Sequence, residues 1–505
     1  MEGIDTVPGV YPGVSPSFTS GTEKRRKYLT MGQYICDDII TTHNNSLANL
    51  IRGVGERVLY TDKKLTVPTK PVANIFTARC GIHMQTMVAR LGRQSPVTRQ
   101  TFVEYYKGRR RTLYQKAVDG LALKPVHVHD SYLSTFIKAE KTNISIKPDP
   151  APRVIQPRNP RYNVEVGKYL LPLEHKVYDA IDDLFGSPTV MSKYNSKEQA
   201  EVIVEKWNSF VRPVCIGLDA SRFDQHVSVQ ALKFEHSFYD KLFDSQELRD
   251  LLKWQLTNIG FAKTSTGKFK YIKKGSRMSG DMNTSLGNKT LMCLMAMSYI
   301  ETKKFRIEFV NNGDDCLIIF ETDYLNDVTD LQPFFKDFGF KIVCEPPVFE
   351  IEHIEFCQCK PLYSNGIWRM VRNVKTCLLK DVTAVNLGHD IDMYKSWLFD
   401  VAGCGKTFAS DVPVLGEFYR MLARFGTEGN YHDKDARFSC YRTLSKGLHI
   451  PFDCPDDQGR FSFWKQTGLS PDAQIELETY FSKSVWGADK RQFIENYSHL
   501  IKNGS

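Results

Sequence analysis

A chain of 505 residues, 42% hydrophobic and 25% charged, has an ordinary globular composition with enough length for a large core, and no run approaches the ~18 apolar residues of a membrane span. Lys and Arg outnumber Asp and Glu by 67 to 58, a net charge of +9 that favours polyanionic partners without specifying one. The 12 cysteines are scattered, with only Cys357 and Cys359 close together, which excludes a disulfide framework and points to a reducing compartment; the N-terminus MEGIDTVPGVYPGVSPS lacks the basic and apolar regions of a secretion signal.

The first 30 or so residues, rich in Pro, Gly, Ser and Thr, read as an extended arm. From there to about 135, helical and loop signals mix, and aromatic residues stand among basic ones in FVEYYKGRRRTLYQK. KGRRR (Lys107 to Arg111) and EKRRK (Glu23 to Lys27) are the densest basic blocks. Residues 145–165 carry five prolines and cannot form a continuous helix. Between 169 and 255, Val214 to Leu218 is the clear strand, set among helices such as 230–244. LGNKTLMCLMAMSYIE, after Gly280, reads as a buried helix. A hairpin at 311–320, a helix at 328–338 and strands at 340–344 and 354–359 follow, and the pattern is mostly helical from 365. The chain shows no internal repeat and no linker long enough to free a domain.

In NNGDDCLIIF, Gly313 is placed for a tight turn and CLIIF reads as a buried strand, so Asp314 and Asp315 stand together at a hairpin tip. Two adjacent carboxylates repel, and a metal ion would relieve them; an exposed turn rich in Asn, Gly and Asp is the plainer alternative. Upstream, in VCIGLDASRFDQHVS, Asp219 ends the strand five residues before Asp224. It is either a helix N-cap or the partner carboxylate of a two-metal phosphoryl-transfer site. In RMSGDMNTSLGNKT, helix capping accounts for Ser279 or Thr284 but not for Asn288 inside the helix, whereas a ribose 2′-hydroxyl would give all three a partner.

D-x4-D after a strand, SG-x3-T-x3-N opening a helix and a GDD hairpin resemble, in order and spacing, the palm motifs of viral RNA-dependent RNA polymerases. GLDASRFDQHVS, RMSGDMNTSLGN and NNGDDC are most similar to those of the tombusvirus-like positive-strand plant viruses, across roughly 136–360. The resemblance implies an α+β right-hand fold, with an antiparallel palm sheet packed on helices and fingertips contacting the thumb. It implies an arm at 1–30, fingers and fingertips at 31–190, palm at 191–227 and 279–363, a fingers insertion at 228–278 and a thumb at 364–505. Asp219, Asp314 and Asp315 would hold two Mg²⁺ ions, with Mn²⁺ able to substitute. Asp224, Ser279, Thr284 and Asn288 would recognise the ribose of the nucleotide. FIKAEK and PRVIQPR resemble the strands that hold the triphosphate, which implicates Lys138, Lys141, Arg153 and Arg158. FKIVCEP resembles the segment supplying a general acid, Lys341 or Lys336, and IEFCQCKPLY the hairpin gripping primer or RNA, through Cys357 and Gln358.

The implied reaction is RNA-directed RNA synthesis from NTPs on a viral genome, with template and product RNA as partners. A membrane-anchored viral replication protein would bring the chain to replication sites in the host cytoplasm. An inactive RNA-binding scaffold would have no use for acidic groups facing phosphates, and a reverse transcriptase usually carries an aromatic residue where Asp224 stands. Three other signals are set aside. DVAGCGKT has Asp400 where a phosphate-binding loop needs its first Gly. His353, Cys357 and Cys359 lack a second ligand pair for zinc and fit alternate positions on a strand, and YICDDII has no turn Gly.

Overall fold

The computed structural model describes residues 1–31, 38–385, 387–429 and 445–486. Its centre is an antiparallel four-stranded sheet in the order Ile307–Asn312, Asp315–Glu321, Pro213–Ala220, Ile342–Cys344. Both middle strands are continuous apolar runs because the sheet is covered on both faces. Val214, Ile216, Leu218, Cys316, Ile318 and Phe320 point into one core, where the helices Ile75–Leu91, Val229–Phe243 and Thr284–Ile300 pack. Their neighbours Cys215, Leu317 and Ile319 enter a second core against the Ser196–Asn208 helix. The Met-rich Thr284–Ile300 helix is buried nearly all round, and this is why it shows no polar stripe.

A five-stranded fingers sheet follows the order Ser17–Phe18, Gly267–Lys274, Thr257–Lys263, Leu133–Ile137, Val154–Ile155. Leu47, Leu50 and Val54 of the Leu47–Val54 helix pack on its inner face with Ile137, Ala262, Phe269 and Tyr271. The thumb buries Trp397, Leu398 and Val401 of Ile391–Ala409 against Phe418 and Leu422 of Leu415–Phe425, with Phe463 and Leu477 from two further helices. DVAGCGKT lies inside the Ile391–Ala409 helix, in its second half, and not in a loop between a strand and a helix. This is an α+β right hand with fingers, palm and thumb.

The first thirty residues are extended but stitched into the fold. Ser17–Phe18 joins the fingers sheet, whereas Tyr28–Thr30 pairs with thumb strand Thr383–Val385. Arg26, from the EKRRK block, donates to the backbone oxygens of His43 (2.6 Å), Ile137 (2.5 Å) and Lys138 (3.1 Å), so it anchors the arm. Two elements differ from expectation. The 328–338 helix is a 3₁₀ turn over Thr322–Val328 followed by helix Leu331–Asp337. The 354–359 strand is a turn, because Cys357 and Gln358 adopt φ of 53° and 62°, and the strand begins only at Cys359 and runs to Ser364. Cys357 and Cys359 therefore do not alternate on one strand, and His353 Nε2 lies 2.9 Å from the Lys465 carbonyl. Of YICDDII, Tyr34 to Asp37 lie outside the described residues, and Asp38 pairs with Lys375 at 3.4 Å.

Candidate active site

The hairpin register sets the carboxylates. Asn312 pairs with Asp315, leaving Gly313 and Asp314 as a two-residue loop with glycine first, at φ 89°, a conformation that favours glycine. Asn311 locks this loop by donating to the Gly313 carbonyl (2.9 Å) and accepting from the Gly313 N–H (3.1 Å). Across the sheet, Asp315 is the direct partner of Asp219, and the Ala220 N–H donates to the Asp314 carbonyl at 3.2 Å. All three side chains are exposed at the end of the sheet. Desolvation first, and then the Asp314 charge, raises the carboxyl of Asp219, and the same two causes lead for Asp315. Glu345 joins them: its amide donates to the Gly217 carbonyl at 2.8 Å, and desolvation, Glu355, Asp315 and Asp219 raise its pKa.

Among the described residues no three His, Cys, Asp or Glu side chains stand together as a metal cage. The donor set does fit a hard divalent ion of another kind. Mg²⁺ is ordinarily held by one or two carboxylates, with water and substrate phosphates completing its shell, and the all-oxygen cross-strand pair offers that.

Beside the carboxylates is a cavity of about 340 Å³ lined by Asp224, Ser279, Thr284, Asn288 and Asp314, with cations Lys138 and Arg153. Asp224 lies just beyond the Asp219 strand, after Arg222 turns the chain at φ 53°. Its carboxylate accepts from Asn288 Nδ2 at 2.7 Å, and burial pushes its pKa up to about 6. Arg277 Nε donates to Asn288 Oδ1 (3.2 Å), which fixes which end of the amide faces Asp224. Arg277 is itself fully buried and paired with Glu235, which also accepts from Asn283 (2.7 Å) and Tyr239 (2.8 Å). A Cβ on Gly287 would come within 2.3 Å of both members of this ion pair, so only glycine leaves room for it. Thr284 opens its helix without capping it: its hydroxyl donates back to the carbonyls of Met278 (3.0 Å) and Asp281 (2.9 Å), and Ser279 donates to the Val154 carbonyl at 3.3 Å.

The expected triphosphate cations divide. Lys138 and Arg153 line the cavity, each 3.4 Å from Glu140. Arg158 does not: it is buried, paired with Asp281, and donates to the Ser131 carbonyl and to Asn258, both at 2.6 Å. Its role is to hold the fingers to the loop before the Thr284–Ile300 helix. Lys141 instead meets the thumb, donating to the Lys380 carbonyl with its ammonium 5.1 Å from the centre of the Trp397 ring. Arg57, which no sequence pattern marks, takes their place in the cavity wall. Burial lowers its pKa to about 10, and Arg222 and Arg153 add to the shift, so this is a wall of cations with room for an anion.

Lys341 and Lys336 line a neighbouring cavity of about 810 Å³ rather than this one. Cys357 stands against the hairpin that carries Asp314 and Asp315, accepting from Asn312 Nδ2 at 3.1 Å and hydrogen-bonded to Asp315. Gln358 faces a basic cleft of about 790 Å³ between fingers and thumb, with Lys141, Arg372, Lys380 and Trp397. Arg277 and Glu235 escape sequence reading because they are 42 residues apart, and only the fold brings them together.

Comparison with known proteins agrees with this geometry. The model of the family described as viral RNA dependent RNA polymerase matches residues 15–486. A protein of turnip crinkle virus named RNA-directed RNA polymerase is 44% identical over 450 residues, 87% of this chain and 57% of that protein. Proteins of the same name from tobacco necrosis virus (strain A) and carnation mottle virus are each 41% identical, over 94% and 90% of this chain and 66% and 60% of their own lengths. The chain thus spans about 57 to 66% of the length of these relatives. With the motif strands, the carboxylate register and the matched span in agreement, the chain belongs to the viral RNA-dependent RNA polymerase family.

Proposed function

We propose that the chain extends RNA on an RNA template by nucleotidyl transfer from NTPs. The observation that carries this reading is the direct cross-strand pairing of Asp219 with Asp315, with Asp314 at the tip, at the mouth of a cavity holding Asp224, Asn288 and a cationic wall. The 3′-hydroxyl oxygen of the growing strand bonds to the α-phosphorus of the NTP and loses its proton to solvent. The bond from that phosphorus to the bridging oxygen breaks, and pyrophosphate leaves with the electron pair.

Asp219 and Asp314, with Asp315 in support, would hold two Mg²⁺ ions, or Mn²⁺ in their place; when bound, these supply charge stabilisation at the attacking and leaving oxygens. Lys138, Arg153 and Arg57 offset the triphosphate charge as it shifts to the leaving group. Asp224 and Asn288, held by Arg277, would hydrogen-bond the ribose 2′-hydroxyl, and the open lone pairs of Ser279 would add to this. Cys357 and Gln358 border the basic cleft that would receive primer or product RNA. Lys341 would protonate pyrophosphate only from the neighbouring cavity.

No helix among the described residues is long and apolar enough to cross a membrane. Delivery to membrane-bound replication sites in the host cytoplasm would fall to an anchored viral partner or to a fused segment. The test is NTP incorporation on a short RNA template with Mg²⁺, beside Asp314→Asn. The expected result is template-dependent synthesis that the variant loses while it folds and binds RNA as before. Undiminished synthesis by the variant would overturn the assignment of the carboxylates.

A further inference from the structure

Three adjacent strands of the fingers sheet contain no acidic residue: LSTFI in Leu133–Ile137, TNIGFAK in Thr257–Lys263 and GKFKYIKK in Gly267–Lys274. Alternation sends Ile137, Ala262, Phe269 and Tyr271 inward to the core and leaves the outer face open. On that face Phe136 is 41%, Phe261 44% and Ile272 56% exposed. Lys263 stands opposite Lys268, Phe261 opposite Lys270 and Thr257 opposite Lys274.

The rings continue off the sheet. The Lys270 ammonium is 5.9 Å from the Phe261 centroid, and Phe261 is 5.9 Å from Tyr132. Tyr132 is 5.0 Å from His129, which is 4.6 Å from His127. Lysines facing each other with no carboxylate between them repel and weaken a sheet. Exposed rings interleaved with them also lose the hydrophobic stabilisation that burial would give. A solvated face usually mixes both signs of charge and avoids such rings. A polyanion with flat apolar faces would relieve both penalties.

We propose that this outer face is a platform for single-stranded RNA, with bases stacking on Phe261, Tyr132 and His129 and phosphates taken by Lys268, Lys270 and Lys274. Stacking of unpaired bases on sheet-borne aromatic rings, with lysines tracking the backbone, is sequence-tolerant and excludes duplexes, whose base faces are hidden. The platform is separate from the nucleotide cavity but continuous with it, since the Leu133–Ile137 strand runs directly into Lys138 in the cavity wall. A strand lying on it would therefore lead toward the carboxylates. The choice of RNA as ligand rests on the polymerase reading, whereas the charge and ring pattern do not.

The test is fluorescence anisotropy of the full chain with a labelled oligouridylate of about 20 nucleotides, long enough for an extended site, across a salt series. Phe261→Ala with Tyr132→Ala is expected to weaken binding at least about ten-fold while leaving duplex RNA binding unchanged. Lys268→Ala with Lys270→Ala and Lys274→Ala should flatten the slope of log K against log salt by about 2, at ~0.7 per phosphate contact. Crosslinks from 4-thiouridine should map to Thr257–Lys263. The sheet-strand positions changed face solvent, so melting points equal to the parent's will establish that the variants fold.

Unchanged affinity and slope, with crosslinks elsewhere, would overturn the platform and leave the face to a protein partner. Binding needs no turnover, so the two readings fail separately. RNA bound on this face without nucleotide incorporation would sink the polymerase and keep the platform. Synthesis with unaltered RNA binding in these variants would do the reverse.

Discussion

Replacing Asp224 with asparagine removes one charge from the cavity and keeps an acceptor for the Asn288 amide, now 2.7 Å away. Burial raises the Asp224 pKa from 3.8 to about 6, against the opposing pull of Asn288 and Arg277. A shift of about two units corresponds to ~3 kcal/mol between the two protonation states. Because the folded value is the higher one, the carboxyl stabilises the fold only while protonated. That contribution is complete below about 4 and is lost as pH rises through about 6. Asp224→Asn, which has nothing to ionise, should therefore match the parent near pH 4 and exceed it at pH 8 by up to ~3 kcal/mol. At ~2.1 cal/mol/K per residue, 505 residues melting as one unit have an unfolding entropy of ~1 kcal/mol/K, so Tm should rise by ~3 °C at pH 8. Thermal melts at the two pH values and equal ionic strength read this directly. An equal rise at both, or a fall at pH 8, would refute the claim that Asp224 is held ionised at a cost to stability. Under the proposed ribose contact, the same variant should also discriminate less between NTP and dNTP, as competition for incorporation will show, because it loses the charged acceptor beside Asn288.

Other substitutions separate structural from chemical roles. Gly287→Ala would gain ~1 kcal/mol in helix propensity. It would lose more, ~1–3 kcal/mol, by driving a methyl into the Arg277–Glu235 pair; a variant that melts higher than the parent would show that the pair is not where it is placed here. Arg158→Met should cost ~3–5 kcal/mol by leaving Asp281 buried without its partner, and it should leave the KM for NTP unchanged in the folded fraction. A raised KM with an unchanged melt would return Arg158 to the phosphate site. Lys141→Met removes the contact with Trp397 and the Lys380 carbonyl. At ~1 kcal/mol, amide exchange over 380–385 should speed up roughly five-fold; unchanged exchange would mean that the fingertip does not brace the thumb.

The chemistry-bearing motifs were legible because each is local. A strand end, a glycine turn and a helix start place Asp219, Asp314, Asp315 and Asn288 through backbone geometry that neighbouring residues dictate. The run CLIIF reads as a buried strand, and the structure covers it with a core on each face. Basic residues resisted such reading, since a lysine or arginine in sequence gives no sign of what its long side chain will reach. Arg153 faces the cavity, yet Arg158, five positions on, is buried against Asp281 from 123 residues away. Arg57, Glu345 and the Arg277–Glu235 pair were invisible for the same reason.

The sequence by itself carried the local motifs that resemble the polymerase palm and hold Asp219, Asp314, Asp315, Asp224 and Asn288, because a strand end, a glycine turn and a helix start are set by a few residues. Only the tertiary structure decided which cations line the cavity beside the carboxylates, how the N-terminal arm ties fingers to thumb, and which sheet face is left open. Those outcomes depend on desolvation and long-range pairing, which exist only once distant segments have packed.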